Sequence, residues 1–374
     1  MDDGDLGGYG QPIHVLMAGG GTGGHVFPAL AVASELQARG HEVSWAGRIG
    51  GMEQTLVESA GLDFHALDAK PWVGQGVTAK IRAAATLITS SWRGRRVVGR
   101  TGADVVLGTG GYVSTPAVLG ARLAGRPAFV LEPNARAGAA NRLAGRWATA
   151  AFVAHEATTR EFSCDAQLTG IPVRAAFHAV GPLPSGPPHL LILGGSQGAQ
   201  QINELMPGVV ARLAAVRGLE GLTVTHQTGG AHLASVEVGY QALGLAGGHG
   251  VAVSPVAFID DVATAMAKAH LVVSRAGALA TAELAAAGRP AVLIPLLAAG
   301  AGHQRLNAER MQASKAARAL TGNELDAETL SKEIRELLTD RSRLEAMSRA
   351  ARSLGKPEAA SRIADALERA GGRR

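Results

Sequence analysis

The chain has 374 residues, enough for two domains with separate hydrophobic cores. A composition of 47% hydrophobic, 18% charged and 4% aromatic residues excludes a disordered or fibrous protein and describes an Ala- and Gly-rich globular one. The formal charge of +5 is unevenly placed, because seven basic residues and no acidic one stand between Ala69 and Ala103.

Residues 1–11, acidic and Gly-rich, read as a flexible tail and as the opposite of a basic, apolar signal peptide. No apolar run reaches the roughly 18–20 residues of a membrane span, so the expected compartment is the cytoplasm. Ile13–Ala18 is an apolar strand, followed by the stretch MAGGGTGGHVFP at 17–28, a helix over Ala29–Arg39 ended by Gly40, and a strand over His41–Ala46. This is a βαβ unit. Gly19, Gly21 and Gly24 formally satisfy a dinucleotide fingerprint, but the second strand ends WAGR without the acid that holds ribose hydroxyls. Arg48 could meet a 2′-phosphate, so an NADP oxidoreductase stays open. In every ligand-binding reading the glycines let backbone N–H groups and a helix N-terminus approach an anion, and the alternative is a tight turn without ligand. His25 ends the stretch, either as a general base or as a cap hydrogen-bonded to the loop.

Ile81, Ala85, Ile88 and Trp92 recur at helical spacing, with Lys80, Arg82, Arg93, Arg95 and Arg96 around them. Such a helix either rests on anionic lipid or packs into a core beside a solvated charge run. Nucleic acid is excluded as a partner by sparse aromatic interleaving and the lack of a binding motif. Strands follow at Asp104–Leu107, Ala128–Leu131 and Ala150–Val153. Cys164, the single cysteine, has no pairing or metal-ligand companion and is given no role.

Pro- and Gly-rich residues 171–188 read as a linker between a first domain, 12–170, and a second, 189–345. The second begins with the strand His189–Leu193, the loop GGSQGAQ and a helix over Ile202–Arg217, and continues with strands at Thr223–Gln227, Val251–Val253, Leu271–Ser274 and Ala291–Ile294. The fold class is α/β, two doubly wound Rossmann-like parallel-sheet domains facing a cleft. Residues from about Leu325 read as helical, with 346–374 expected to pack back on the first domain. GGSQGAQQIN is a second anion cradle, SRAGALATAELAAAG a third loop-to-helix junction with Arg275 and Glu283, and GHQRLNAER supplies amides suited to a sugar. Asp260 and Asp261 read as caps of the helix starting at Val262. No metal-ligand spacing occurs, so no protein-bound catalytic metal is expected. A departing diphosphate would then rely on helix N-termini and on Arg174 or Arg275.

Taken in order, GGGTGGHVFPALAVA, VVLGTGGYVSTPA, GIPVR, GGSQGAQQIN, FIDD, SRAGALATAELAAAGRPAVLIP and HQRLNA closely resemble the MurG family, bacterial N-acetylglucosaminyltransferases that make lipid II, over about residues 12–365. The resemblance implies a GT-B fold and an inverting transfer of GlcNAc from UDP-GlcNAc to the C4 hydroxyl of MurNAc in lipid I. It places the enzyme peripherally on the cytoplasmic face of the cell membrane. By it, Phe258 and Ile259 lie near uracil, Glu283 on the ribose, and Ser196 and Arg174 near the diphosphate, with Gln197, Gly198, Asn203 and Arg275 also binding the donor. Ala278 and Leu279 would act through their backbone, and Asn134, Gln304 and Asn307 would surround GlcNAc. The acceptor, including its diphosphate, would meet Gly20, Gly21, Thr22, Gly23, Gly24, His25, Gly111 and Tyr112, so that the first glycine loop resembles an acceptor diphosphate cradle, with His25 as candidate general base. Lys80, Ile81, Ile88, Trp92, Arg93, Arg95 and Arg96 would associate with the membrane.

No tightly bound cofactor is implied, only UDP-GlcNAc as donor and a divalent ion as a stimulant. Expected partners are lipid I, an anionic membrane surface and other cell-wall synthesis proteins. Leu131, Pro133, Ala280 and Gly302 depart from the family pattern, which leaves open a paralogue with another lipid-linked or natural-product acceptor, or a binding protein without turnover.

Overall fold

The computed structural model describes residues 11–67, 77–195, 197–245, 250–296, 302–322 and 325–372, with the backbone alone for 77–84. Ser196 and the side chains of Lys80, Ile81 and Arg82 lie outside the described residues, as do residues 1–10 of the expected tail.

In chain order the first elements are β1 (His14–Gly19), α1 (Gly23–Ala38), β2 (Glu42–Gly47), α2 (Met52–Ser59), β3 (Asp63–Ala66) and α3 (Val77–Thr101). Next come β4 (Val105–Gly110), α4 (Ser114–Leu123), β5 (Ala128–Glu132), α5 (Ala139–Ala144), β6 (Ala150–Val153), α6 (Glu156–Thr159) and β7 (Asp165–Leu168). They are followed by α7 (Ala175–His178), β8 (His189–Leu193), α8 (Gln200–Ala214), β9 (Thr223–Gln227), α9 (Leu233–Ala242), β10 (Ala252–Val256), α10 (Val262–Lys268) and β11 (Leu271–Ser274). The chain ends with α11 (Ala278–Ala287), β12 (Ala291–Leu293), α12 (Gly302–Ala313), β13 (Ala317–Ala319), α13 (Ala327–Leu338), α14 (Arg341–Leu354) and α15 (Ala359–Gly371).

Two compact units result: residues 1–174 with 356–374, and residues 175–355. The first holds a parallel sheet in the order β3-β2-β1-β4-β5-β6-β7, the second a parallel sheet in the order β10-β9-β8-β11-β12-β13. Strands buried on both faces need unbroken apolar runs, and β1 shows why. Val15 and Met17 join one core layer with Val26, Val32 and Leu36 of α1 and Ile363 and Leu367 of α15, while Leu16 and Ala18 join another with Val98 and Val118. In the second unit Leu190, Ile192 and Val273 pack with Ile202, Met206, Ile334 and Leu344.

Four expectations need correction. Helix α1 begins at Gly23, six residues before Ala29, so Gly23, Gly24 and Pro28 are helical and the loop shrinks to Gly20–Thr22. Burial of Val26, Pro28 and Ala29 outweighs the low helix propensity of glycine and proline. Strands β3, β7 and β13 lie at sheet edges, where short half-exposed segments such as DFHA and DAQL carry no apolar run. The return to the first unit falls at Gly355/Lys356 and not at 345/346, a point inside α14; Arg352 of that helix donates to the carbonyls of Val180 and Ala287 and so belongs to the second unit. Residues 175–188, expected in the linker, belong to the second unit as well.

The stripe on α3 faces outward: Ile88 is 57% and Trp92 52% exposed. The helix instead buries Ser90, Ser91, Gly94 and Val98, and Gly94 approaches Pro116 and Gly120 of α4 so closely that a Cβ would overlap the Pro116 carbonyl.

Candidate active site: two glycine loops at the sheet switch points

In a doubly wound sheet ligands gather beyond the carboxyl ends of the strands, where the strand order reverses. In the first unit this point lies between β1 and β4, whose following loops are Gly20–Thr22 and Gly111–Val113. The loops touch: Gly20 N–H donates to Gly110 O at 3.3 Å, and a Cβ on Gly111, whose φ is +78°, would crowd the Gly20 carbonyl. His25 sits on the first turn of α1 with Nδ1 3.2 Å from Gly20 O and 3.3 Å from Thr22 Oγ1. With Nδ1–H donated to that carbonyl, Nε2 carries the lone pair, the tautomer a general base needs. Capping and base readings thus use different nitrogens of one ring. Tyr112 is exposed in the loop after β4, and Thr22 takes the N-cap position of α1 without a side-chain cap bond.

A residue that the sequence reading passed over organises this loop. Glu53, buried on α2, accepts from Gly21 N–H and Arg48 N–H, each at 3.2 Å, and a Cβ at Gly20, Gly47 or Gly51 would collide with it. A carboxylate therefore already holds the Gly21 amide, leaving the first turn of α1 to face a ligand. Glu132 does the same at the end of β5, accepting from Asn134 N and Nδ2, Gly138 N and Asn141 Nδ2, all at 2.9 Å. Asn134 is thereby fixed, half-exposed. Arg174, expected at the donor, belongs to the first unit, where its guanidinium lies 5.3 Å above the Phe27 ring. The signal for Glu53 was present as GME after a strand and an Arg-Ile-Gly turn.

In the second unit the switch point lies between β8 and β11. The loop after β8 carries Gln197, exposed, and Gly198, with φ +80°. Gly194 N–H donates to Gln227 O and Gln227 Nε2 to Gly195 O, so the loop leans on the end of β9. After β11, half-buried Arg275 precedes Gly277, the N-cap of α11, and Ala278 and Leu279 present the free amides of its first turn. Burial pushes the Arg275 guanidinium below its ordinary value. Glu283 stands on the second turn of α11, half-buried. Phe258 is 52% exposed and Ile259 half-buried in the loop after β10, and Asp261 caps α10 by accepting from Thr264 N–H at 3.0 Å.

Not every expected ligand group points outward. Asn307 is buried and donates to Ala276 O at 3.0 Å, holding the loop after β11, and Gln304 Oε1 accepts from Leu296 N–H at 3.2 Å. Asn203 is buried with both ends of its amide bonded to protein. These amides hold backbone, and the sequence pattern could not separate that from ligand contact. Among the described residues no group of three or more His, Cys, Asp and Glu could hold a metal ion.

Two parallel sheets, each with switch-point loops opening onto helix N-termini that lack side-chain caps, form the GT-B fold, and the family matches make the chain a glycosyltransferase of that class. Residues 15–153 match the glycosyltransferase family 28 N-terminal domain and residues 189–363 its C-terminal domain. A UDP-N-acetylglucosamine--N-acetylmuramyl-(pentapeptide) pyrophosphoryl-undecaprenol N-acetylglucosamine transferase from Syntrophotalea carbinolica is 42% identical over 354 residues, covering 94% of this chain and 97% of the relative. The transferase of the same name from Halorhodospira halophila is 42% identical, covering 95% and 97%. The crystal structure of Acinetobacter baumannii MurG superposes with a TM-score of 0.77 at 31% identity over 96% of this chain and 100% of that one. The chain belongs to the MurG family of glycosyltransferases.

Proposed function

We propose that the chain transfers GlcNAc from UDP-GlcNAc to the C4 hydroxyl of MurNAc in undecaprenyl-diphospho-MurNAc-pentapeptide, forming lipid II with inversion at the anomeric carbon. The observation that carries this reading is the 42% identity, over nearly the whole of both chains, to transferases named for that reaction. The alternatives are not favoured: the match to transferases named for this reaction runs over 94% of this chain and 97% of the relative.

His25 Nε2 takes the proton of the C4 hydroxyl as its oxygen bonds to the anomeric carbon. The bond from that carbon to the diphosphate oxygen breaks, and UDP leaves. The amides opening α8 and α11, with Arg275, stabilise the charge on the departing diphosphate. Glu283 holds the ribose, and Phe258 and Ile259 the uracil. No tightly bound cofactor takes part, and a divalent ion acts only as a stimulant.

Exposed Ile88 and Trp92, with Arg93, Arg95 and Arg96 beside them, support peripheral attachment to an anionic membrane surface at the cytoplasmic face, where a lipid-linked acceptor would be met. No helix of the described residues is long and apolar enough to cross a membrane.

The test is transfer from radiolabelled UDP-GlcNAc to a short-chain lipid I analogue by wild type, His25→Ala and Glu283→Ala. Product from wild type and its loss in both variants is expected. Measurable UDP-GlcNAc binding without product would overturn the acceptor assignment.

A further inference from the structure

Asn203, on the first turn of α8, is 6% exposed, and behind it lie His226 of β9 at 0% and Tyr240 of α9 at 3%. Asn203 Nδ2 donates to the Thr228 carbonyl at 2.9 Å, which leaves Oδ1 to accept from His226 Nε2 at 3.1 Å. His226 Nδ1 must then accept, and the Tyr240 hydroxyl donates to it at 3.0 Å. With the ring neutral, every donor in the series points one way, toward Thr228 O. Burial enforces the same state, holding the imidazole near 4 and raising the phenol above its ordinary value.

The end of this series meets the loop after β8. A Cβ on Gly198 would overlap the Thr228 carbonyl oxygen, and one on Gly229 would lie 2.6 Å from the Gln197 carbonyl, so the two backbones pack with no side chain between them. Thr228 N–H donates to Val256 O and Gly229 N–H to Ala257 O, the residue before Phe258. Displacing Thr228–Gly229 would therefore move the seat of loop 194–198 directly.

We propose that Tyr240, His226 and Asn203 form a buried neutral relay that fixes Thr228–Gly229 beneath the loop, making all three positioning residues for the nucleotide diphosphate. The inference rests on the reading of the second unit as the donor domain. It assigns Asn203 to holding backbone and not to touching the donor. The backbone bonds from Thr228 and Gly229 to Val256 and Ala257, which lead toward the nucleoside contacts, stay in the relay variants, so the relay bears chiefly on the phosphates.

Calorimetric titration of the full chain with UDP and with uridine tests it, using Asn203→Asp, His226→Gln, Tyr240→Phe and Glu283→Ala. Asn203→Asp sets an oxygen against the Thr228 carbonyl and is expected to weaken UDP about tenfold, with His226→Gln close behind and Tyr240→Phe down about threefold. Uridine affinity should stay within about twofold, and KM for UDP-GlcNAc should rise while that for the lipid acceptor does not. Glu283→Ala should weaken UDP and uridine alike. Equal loss of both probes in the relay variants, or unchanged UDP affinity in Asn203→Asp and Tyr240→Phe, overturns the relay. If Glu283→Ala leaves both probes unaffected, it is the donor-domain reading that fails, and the relay's assignment to a diphosphate falls with it.

Discussion

The loops after β1 and β8 occupy the same place in two sheets of the same design, and both open a helix whose N-cap, Thr22 or Ala199, makes no side-chain cap bond. They differ in what stands behind them. The first is held by the Glu53 carboxylate and carries His25, whose Nδ1 is tied to Gly20 O; the second is held by neutral side chains and glycine-on-glycine contact. A carboxylate that already holds the Gly21 amide leaves an incoming anion only the first turn of α1, whereas neutral support leaves a helix N-terminus its full attraction. The comparison teaches that similar glycine spacing has been put to two uses. On the proposed function, the first loop adds a proton acceptor to the seat of the lipid-linked acceptor, and the second serves the departing diphosphate without one.

The sharpest way to break this comparison is to remove His25, the proposed proton acceptor. His25→Ala should lower kcat by about 10²- to 10⁴-fold, the usual worth of a general base, with UDP affinity unchanged by calorimetry. A comparable fall in UDP affinity would show that the loops are not divided in this way. Next in size is a pair of glycine substitutions. Gly198→Ala forces a Cβ into the Thr228 carbonyl at φ +80° and should weaken UDP by about a hundredfold, a shift of about 3 kcal/mol. Gly21→Ala, at φ +88° with nothing within 4 Å, should cost only the roughly 1–2 kcal/mol of left-handed strain, read as a lower melting temperature.

Glu53→Gln sharpens the comparison from the other side. Gly21 and Arg48 N–H use different carboxylate oxygens, so the NH₂ of a glutamine would face one of these donors, and one part-buried N–H loses its partner at about 1 kcal/mol. The expected result is an acceptor KM raised about tenfold with KM for UDP-GlcNAc unchanged, checked by steady-state kinetics with each substrate varied.

The central strands were legible because both of their faces are buried: β6, β8, β9 and β11 fall where apolar runs place them. The edge strands were not, since one open side removes the pattern. The start of α1 was missed for a different reason, because glycines read as loop until the tertiary packing of Val26 and Ala29 is known. At the site, the residues proposed to meet a ligand, such as His25, Tyr112 and Phe258, stand within motifs of the sequence. The residues that hold those motifs, Glu53, Glu132, His226 and Tyr240, come from other elements, and only the fold brings them to the loops. Asn203 and Asn307 show the converse: an amide next to a glycine motif reads as a ligand contact until its buried partners are seen.

The smallest effect probes the neutrality of the second loop's support. His226 titrates near 4 in the folded chain because of burial, against about 6.5 when unfolded. Below pH 6.5 the unfolded chain takes up a proton that the native ring refuses, so stability is full above that pH and falls progressively as pH drops toward 4. Between pH 7 and pH 6 one such histidine removes only about 0.7 kcal/mol. His178, His189 and His270 are also pushed down by burial and act in the same direction, so the wild-type slope is steeper than one residue gives. Urea midpoints of wild type and His226→Gln across this interval isolate the His226 share: the variant should lose stability at pH 7 but show a shallower dependence on acid. Parallel slopes would mean that the ring accepts a proton in the native state, and a charged imidazolium against Asn203 would contradict the neutral support that separates the second loop from the first.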